Sequence, residues 1–267
     1  MIDIWSRLTE QALQKSKLFS DDVFTTRALW KAEVILQHEI IHKVSRYYAI
    51  LAVTTGQGCC HYAADVLLDK NIVGEDARNY IAVKNGISIA LLDSIYSVFP
   101  KQPYKIHELF GSPADKADKR SSLIVDEGAR LLTGKKNKDI KVVNVGVVGD
   151  IIEKLCARGY RTFATDLDDT IIGQSLHGVA IESGRKTVEY VKNCDLALVT
   201  GMTLATNTLD EIVTAARQAG TKLLLFAETG ANFAEEYCRT IGIDTVISEP
   251  FPFYVHQGMS TIAVYRK

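Results

Sequence analysis

The spacing of apolar positions changes character near residue 140. Ahead of that point it is helical. Residues 3 to about 18 place Ile4, Leu8, Ala12 and Leu13 on one face, and Ser20-Asp21-Asp22 offers caps for a second helix running through ALWKAEVILQHEIIHKVSRYYAILAV toward Thr54. TTGQG reads as a turn, His61 to about Lys70 as a helix, and Glu75 to Phe99 as another. The last has a buried register of Ile81, Gly86, Ile89, Ala90, Leu92 and Ile95, with Gly86 permitting close packing. The first hundred residues are therefore expected to form a mainly helical domain.

From Pro100 to Lys138 the periodicity lapses. Three of the five prolines fall by Pro113, and the charge run DKADKR follows. A short helix is expected near Ile124 to Leu132, and then comes the basic loop GKKNKD. The charge runs read as solvated surface. The basic loop marks the boundary between domains 1–138 and 139–267, because polar stretches without periodicity are where few contacts cross. Beyond Ile140, short β-rich runs (KVVNVGVV, RTFATDL, LALVTG, KLLLFAE, DTVISE and STIAVYR) alternate with helices at Ile151 to Arg158, Arg185 to Lys192, Thr208 to Gln218 and Asn232 to Ile241. Strands this apolar belong in a sheet covered on both faces. The expected fold is α/β: a Rossmann-like, doubly wound, mostly parallel sheet in the carboxyl-terminal half, its final strand pairing antiparallel after FPFYVHQG.

Composition narrows the function. With 267 residues and a formal net charge of -1, the chain has no basic excess for neutralising phosphates, so a nucleic-acid partner is not expected and a small molecule is. No apolar run is long enough to span a bilayer, and MIDIWSRLTEQ lacks a signal-type core, which points to a soluble, cytoplasmic protein without a membrane partner. Five cysteines, odd in number and without C-x-x-C spacing, fit reduced thiols. The apolar helices expected in the first domain make a homodimer plausible.

The candidate chemistry centres on VVNVGVVGDIIEKLCARGYRTFATDLDD, residues 142–169, which reads as strand, glycine turn, helix and second strand. The turn matches the dinucleotide pattern G-x-G-x-x-G with Asn144 in place of its first glycine. Gly146 would let a ligand approach the backbone, and Gly149 would let the helix pack on the strand. Asp166, followed by Leu167, ends the second strand where an acid accepts ribose hydroxyls. A dinucleotide would set its pyrophosphate on the helix amino terminus, but Asp150 there would repel it. S-adenosylmethionine carries a sulfonium and an ammonium, which a carboxylate favours, and is the expected cofactor; NAD is the alternative. Thr200 and Thr203 after the third strand, and Glu228 and Thr229 after the fourth, lie on the ligand side of such a sheet. SEPFPFY brings Glu249, Phe251, Phe253 and Tyr254 to the same edge, as an aromatic wall or as a packed, proline-pinned loop.

Two further motifs compete. Asp166-Leu167-Asp168-Asp169-Thr170 looks like the nucleophile loop of haloacid dehalogenase-like phosphatases, but no lysine and strand-end acidic pair for a metal follow it. His38-Glu39-Ile40-Ile41-His42 is an H-E-x-x-H sequence on the predicted helix, which Cys59, Cys60 and His61 could join in a metal site. Set against that is an ordinary surface helix with hydrogen-bonded histidines.

NVGVVGD followed by CDLALVTGMTLATNTLDEIVTAARQAGTKLLLF resembles two related groups of Rossmann-like proteins. One is the heavy-metal chelation family, which joins an enolase amino-domain-like module to a Rossmann-like domain. The other is the HcgC-type pyridinol methyltransferases of Fe-hydrogenase cofactor assembly. The helical reading of the first hundred residues matches the enolase-like module poorly, and the size and the acid-rich turn favour the methyltransferases. That resemblance implies methyl transfer from S-adenosylmethionine to a small, heterocyclic acceptor. Gly146, Gly149 and Asp150 would hold the methionine end, Asp166 the ribose, and Thr200 with Thr203 would line the acceptor side. The alternatives are a metal or metallophore binder and an NAD-dependent oxidoreductase.

Overall fold

The computed structural model describes residues 2–36, 44–62, 68–134 and 136–267. Helix α1 (Ile4–Ser16) forms where its spacing predicts. Asp3 caps it by accepting the Ser6 N–H, and Ile4, Leu8 and Ala12 are buried. The helical reading then fails. Strands β1 (Thr26–Leu36), β2 (Val44–Val53) and β3 (Gln57–Tyr62) make an antiparallel sheet in the order β1-β2-β3. No Gly or Pro between Asp21 and Thr55 announces the reversal, and the apolar spacing suits either element. The β-branched and aromatic content of VSRYYAILAV was the legible sign of a strand. TTGQG turns the chain into β3, whereas His61 lies within that strand rather than starting a helix. His38 and His42 lie outside the described residues.

Helix α2 (Gly86–Val98) occupies only the second half of its expected span, begun by a capping box between Asn85 and Ser88. A Cβ on Gly86 would sit 1.5 Å from the Tyr62 ring, so this glycine does permit the close packing expected of it. The first hundred residues are thus a three-stranded sheet with helices laid against it, and the mainly helical domain is corrected on that ground.

The second layer begins before residue 138. Strand β4 (Lys105–Leu109) leads into α3 (Pro113–Arg130), far longer than the short helix expected there. It is started by Ser112 and Asp115 in a capping box with Pro113 in its first turn. The alternating pattern then unfolds as expected through β5 (Lys141–Val145), α4 (Gly149–Ala157) and β6 (Arg161–Asp166). A small hairpin, β7 (Ser175–Leu176) and β8 (Val179–Ser183), precedes α5 (Thr187–Asn193), β9 (Leu196–Thr200), α6 (Met202–Ala205) and α7 (Leu209–Ala219). β10 (Lys222–Ala227), α8 (Ala234–Glu236), β11 (Thr245–Ser248) and β12 (Ser260–Arg266) complete it. The nine-stranded sheet runs β4-β12-β11-β10-β9-β5-β6-β8-β7. Strands β11, β10, β9, β5, β6 and β8 are parallel, while β12 is antiparallel to β11 and to β4.

Both faces are covered, which explains why the strands are so apolar. Val143, Val199 and Leu225 pack toward α2 and the antiparallel sheet, whereas Leu196, Leu198 and Phe226 pack toward α3. The chain turns from β5 to β6 on one side and to β9 on the other. A crevice therefore opens at the carboxyl ends of β5 and β9, the place where ligands bind in such sheets.

Candidate functional site

The glycine turn stands at this crevice, and its first three N–H donors, of Gly146, Val147 and Val148, are already engaged. Gly146 is left-handed at φ +78°, and a Cβ there would lie 2.2 Å from Thr200 Cγ2, so only glycine fits. The next two N–H groups, which in a dinucleotide site would face phosphate, donate to the protein's own side chains: Val147 to Asp166 Oδ2 at 2.7 Å and Val148 to Asn144 Oδ1 at 3.0 Å. Asp166 Oδ1 accepts the Asp168 N–H at 2.9 Å. Asn144, fully buried, thus takes the place of the missing glycine with an acceptor. Asp150 and Gly149 open α4 beside this turn, half-buried, and Leu167 stands half-exposed on the loop beyond β6.

The cleft itself is lined by Val148, Thr200, Met202, Glu228 and Thr229 at the strand ends, by His61 and Arg120, and by Phe253 and Tyr254. Its enclosed space, about 60 Å³, holds a few water-sized groups. Of the residues expected here, Thr200, Glu228 and Thr229 are in the lining. Thr203 is buried behind it, donating to the Thr200 carbonyl at 2.7 Å. SEPFPFY acts as both expected alternatives at once, packed and wall-forming.

The chemistry of the cleft resides in four side chains from four segments. Glu228 follows β10 and Glu249 follows β11. Arg120 reaches in from α3 on one face of the sheet, and His61 from β3 on the other. The Arg120 guanidinium bridges the acids, Nη2 to Glu228 Oε1 at 2.8 Å and Nε to Glu249 Oε2 at 2.7 Å. Its plane lies 4.9 Å from the Tyr254 ring centre. His61 Nε2 lies 3.0 Å from the other Glu228 oxygen. Thr229 Oγ1 accepts the His61 backbone N–H at 3.0 Å and lies 2.8 Å from Nδ1, which fixes the ring. Phe253 stacks against the same imidazole, 5.3 Å between centres.

Burial sets the electrostatics. Burial alone would lower the Arg120 pKa, but Glu228 and Glu249 outweigh it and hold the guanidinium above its ordinary value. Glu249 is pushed up to about 7 by burial, against the opposing pull of Arg120. The Tyr254 N–H donates to Glu249 Oε1 at 2.7 Å.

Arg120 lies in the charge run read as solvated surface. With Lys116, whose ammonium donates to the His256 and Gly258 carbonyls, it is instead buried. The missed signal is spacing: 116, 120, 124 and 128 recur every four residues on the face of α3 that also buries Ile124. Along β3, His61 enters the cleft. Cys59 packs with Ile50 and Phe253, and Cys60 in the main core, so the three do not converge on one metal. Among the described residues, no group of three or more His, Cys, Asp or Glu is arranged to hold a metal ion. All five cysteines are free thiols, and no described helix is long and apolar enough to cross a membrane.

Fold and site together define a Rossmann-like α/β protein whose crevice is closed by a sheet-and-helix unit. Residues 132–231 match the DUF364 family model, described as "Putative heavy-metal chelation". Two solved DUF364 proteins of unknown function share the fold along their whole length. One is from Pyrococcus horikoshii (TM-score 0.59, 8% identity) and one from Desulfitobacterium hafniense DCB-2 (TM-score 0.59, 12% identity). Each match covers 99% of this chain and 100% of the other. No curated protein matches the chain. The misfit that favoured the methyltransferases rested on a helical first domain, which the structure replaces, and the family match lies with the chelation group.

Proposed function

We propose that the chain is a small-molecule binding protein of the heavy-metal chelation type, and that it takes a metal together with a small chelator rather than a bare ion. The observation that carries this is the pairing of His61 Nε2 with Glu228 Oε2, 3.0 Å apart on the cleft wall, with no third donor assembled among the described residues. Imidazole and carboxylate suit ions such as Zn²⁺, which needs about four ligands, so the remaining positions fall to the small molecule. Arg120 would hold Glu228 ionised, and its second bond, to Glu249, would keep the guanidinium oriented. Titration calorimetry with Zn²⁺ alone and with zinc citrate tests this. The chelate should bind one per chain and more tightly than the ion, and Glu228→Gln should weaken it about tenfold or more, roughly 1.4 kcal/mol. No binding of either probe, or equal affinity in the variant, would sink the reading.

A second reading is favoured by the glycine turn. The Val147 and Val148 N–H groups that a pyrophosphate needs are taken by Asp166 and Asn144, which favours a phosphate-free adenosyl cofactor. In this reading S-adenosylmethionine lies along Gly146, Gly149 and Asp150. Asp166 and Leu167 hold its ribose, and its methyl group faces an acceptor near Thr200, Thr203, Glu228 and Thr229. Calorimetry should then show S-adenosylmethionine binding that Asp166→Ala weakens; tighter binding of NAD would exclude it.

A further inference from the structure

Asp93, on α2, is 1% exposed and lies outside the cleft. Its two carboxylate oxygens accept backbone N–H groups from both parts of the molecule, Cys59 of β3 at 2.9 Å and Asn232, beyond β10, at 2.8 Å. Cys59 is two residues before His61, and Asn232 is four after Glu228. The seam between these segments carries further contacts. Asn232 Nδ2 donates to the Gln57 carbonyl at 3.1 Å, the Gly230 N–H to the Cys59 carbonyl at 3.4 Å, and Lys101 Nζ to Asn232 Oδ1. One carboxylate therefore spans the joint that sets how far His61 stands from Glu228.

We infer that Asp93 is the positioning residue of the cleft: by binding the β3 backbone and the loop beyond β10 through one carboxylate, it fixes His61 against Thr229 and Glu228. The inference rests on the cleft being the working site, whatever ligand it takes. An ionised carboxylate is the group that two converging N–H donors call for, and each such charge-assisted bond is stronger than a neutral one. The titratable groups facing it are Lys101 beyond α2, Cys59 and Cys60 of β3, and Tyr237 beyond α8. Burial pushes the Asp93 carboxyl up to about 7, with the two N–H donors and Lys101 opposing.

The test needs no ligand. In the full chain labelled with ¹⁵N, His61 of the wild type should show two distinct ring nitrogens fixed in one tautomer by Thr229. Asp93→Asn keeps the shape but turns one acceptor into a donor, and the His61 signals should move toward tautomer-averaged values. Those of His107, on β4 at the far edge of the sheet, should stay in place. Unmoved His61 signals in a folded variant, or equal movement of His107, overturn the inference. Should the variant not fold, the wild type decides, because the Cys59 and Asn232 amide protons must follow a single shared titration. Separate titrations overturn it. Absence of chelate binding in the wild type, with the His61 signals displaced in Asp93→Asn, would count against the function proposed above and not against Asp93.

Discussion

Two regions meet at the carboxyl edge of the large sheet, and they differ in how they are built. The glycine turn, Gly146 to Asp150, comes from one continuous stretch and supplies partners of its own: Asp166 and Asn144 accept the Val147 and Val148 N–H groups. The ionic group of His61, Arg120, Glu228 and Glu249 comes from four segments and exists only where two sheets and α3 close together. A motif can thus look like a ligand site and be self-satisfied. A site can also be assembled from residues that no local pattern connects.

The contrast can be broken by substitution. Arg120→Met should have the largest effect, about 3–5 kcal/mol in urea unfolding, because it strands two buried carboxylates without a counter-charge. A loss under about 1 kcal/mol would mean that Glu228 and Glu249 are satisfied without it. Gly146→Ala should follow. Left-handed backbone costs about 1–2 kcal/mol for an alanine, and crowding against Thr200 adds about 1–3 kcal/mol; a neutral result would show that the turn can shift.

The joint between the regions should show itself in pH dependence. Asp93 holds its proton up to about 7 when folded, against an ordinary value of 3.8. The folded state therefore binds more protons across that window, and wild-type stability should fall as pH rises from about 4 to 7, by up to about 1.4 kcal/mol per pH unit, and level off above. Glu249, also pushed up to about 7, adds a slope of the same sign on top of this, so Asp93→Asn should remove about half of the total in unfolding measured across the range, and an unchanged slope would contradict the assignment. The smallest effect belongs to Asp150→Asn. An acid in the first turn of α4 contributes only about 0.3–1 kcal/mol to the helix. A loss of S-adenosylmethionine binding larger than this would instead mark Asp150 as facing a ligand.

Much of the sheet was legible. The strands β5, β6, β9, β10, β11 and β12 declare themselves as short runs rich in apolar residues because both faces of the sheet are covered. The helices between them show their spacing. The first domain was not legible in the same way. ALWKAEVIL satisfies helical spacing as well as it does a strand, and only pairing with β2 decides between them. Arg120 hid inside a charge run because its burial depends on two acids that follow it by more than a hundred residues.

The sequence by itself determined the parallel sheet, its crevice at the strand ends and the place of the glycine turn there, since these arise within one stretch of about thirty residues and its neighbouring strands. Only the tertiary structure decided that β1 to β3 form a sheet, that Arg120 is buried between Glu228 and Glu249, and that His61 faces Glu228. Those outcomes depend on which distant surfaces exclude water from one another, and burial of a charge becomes favourable only once its partners have been brought beside it.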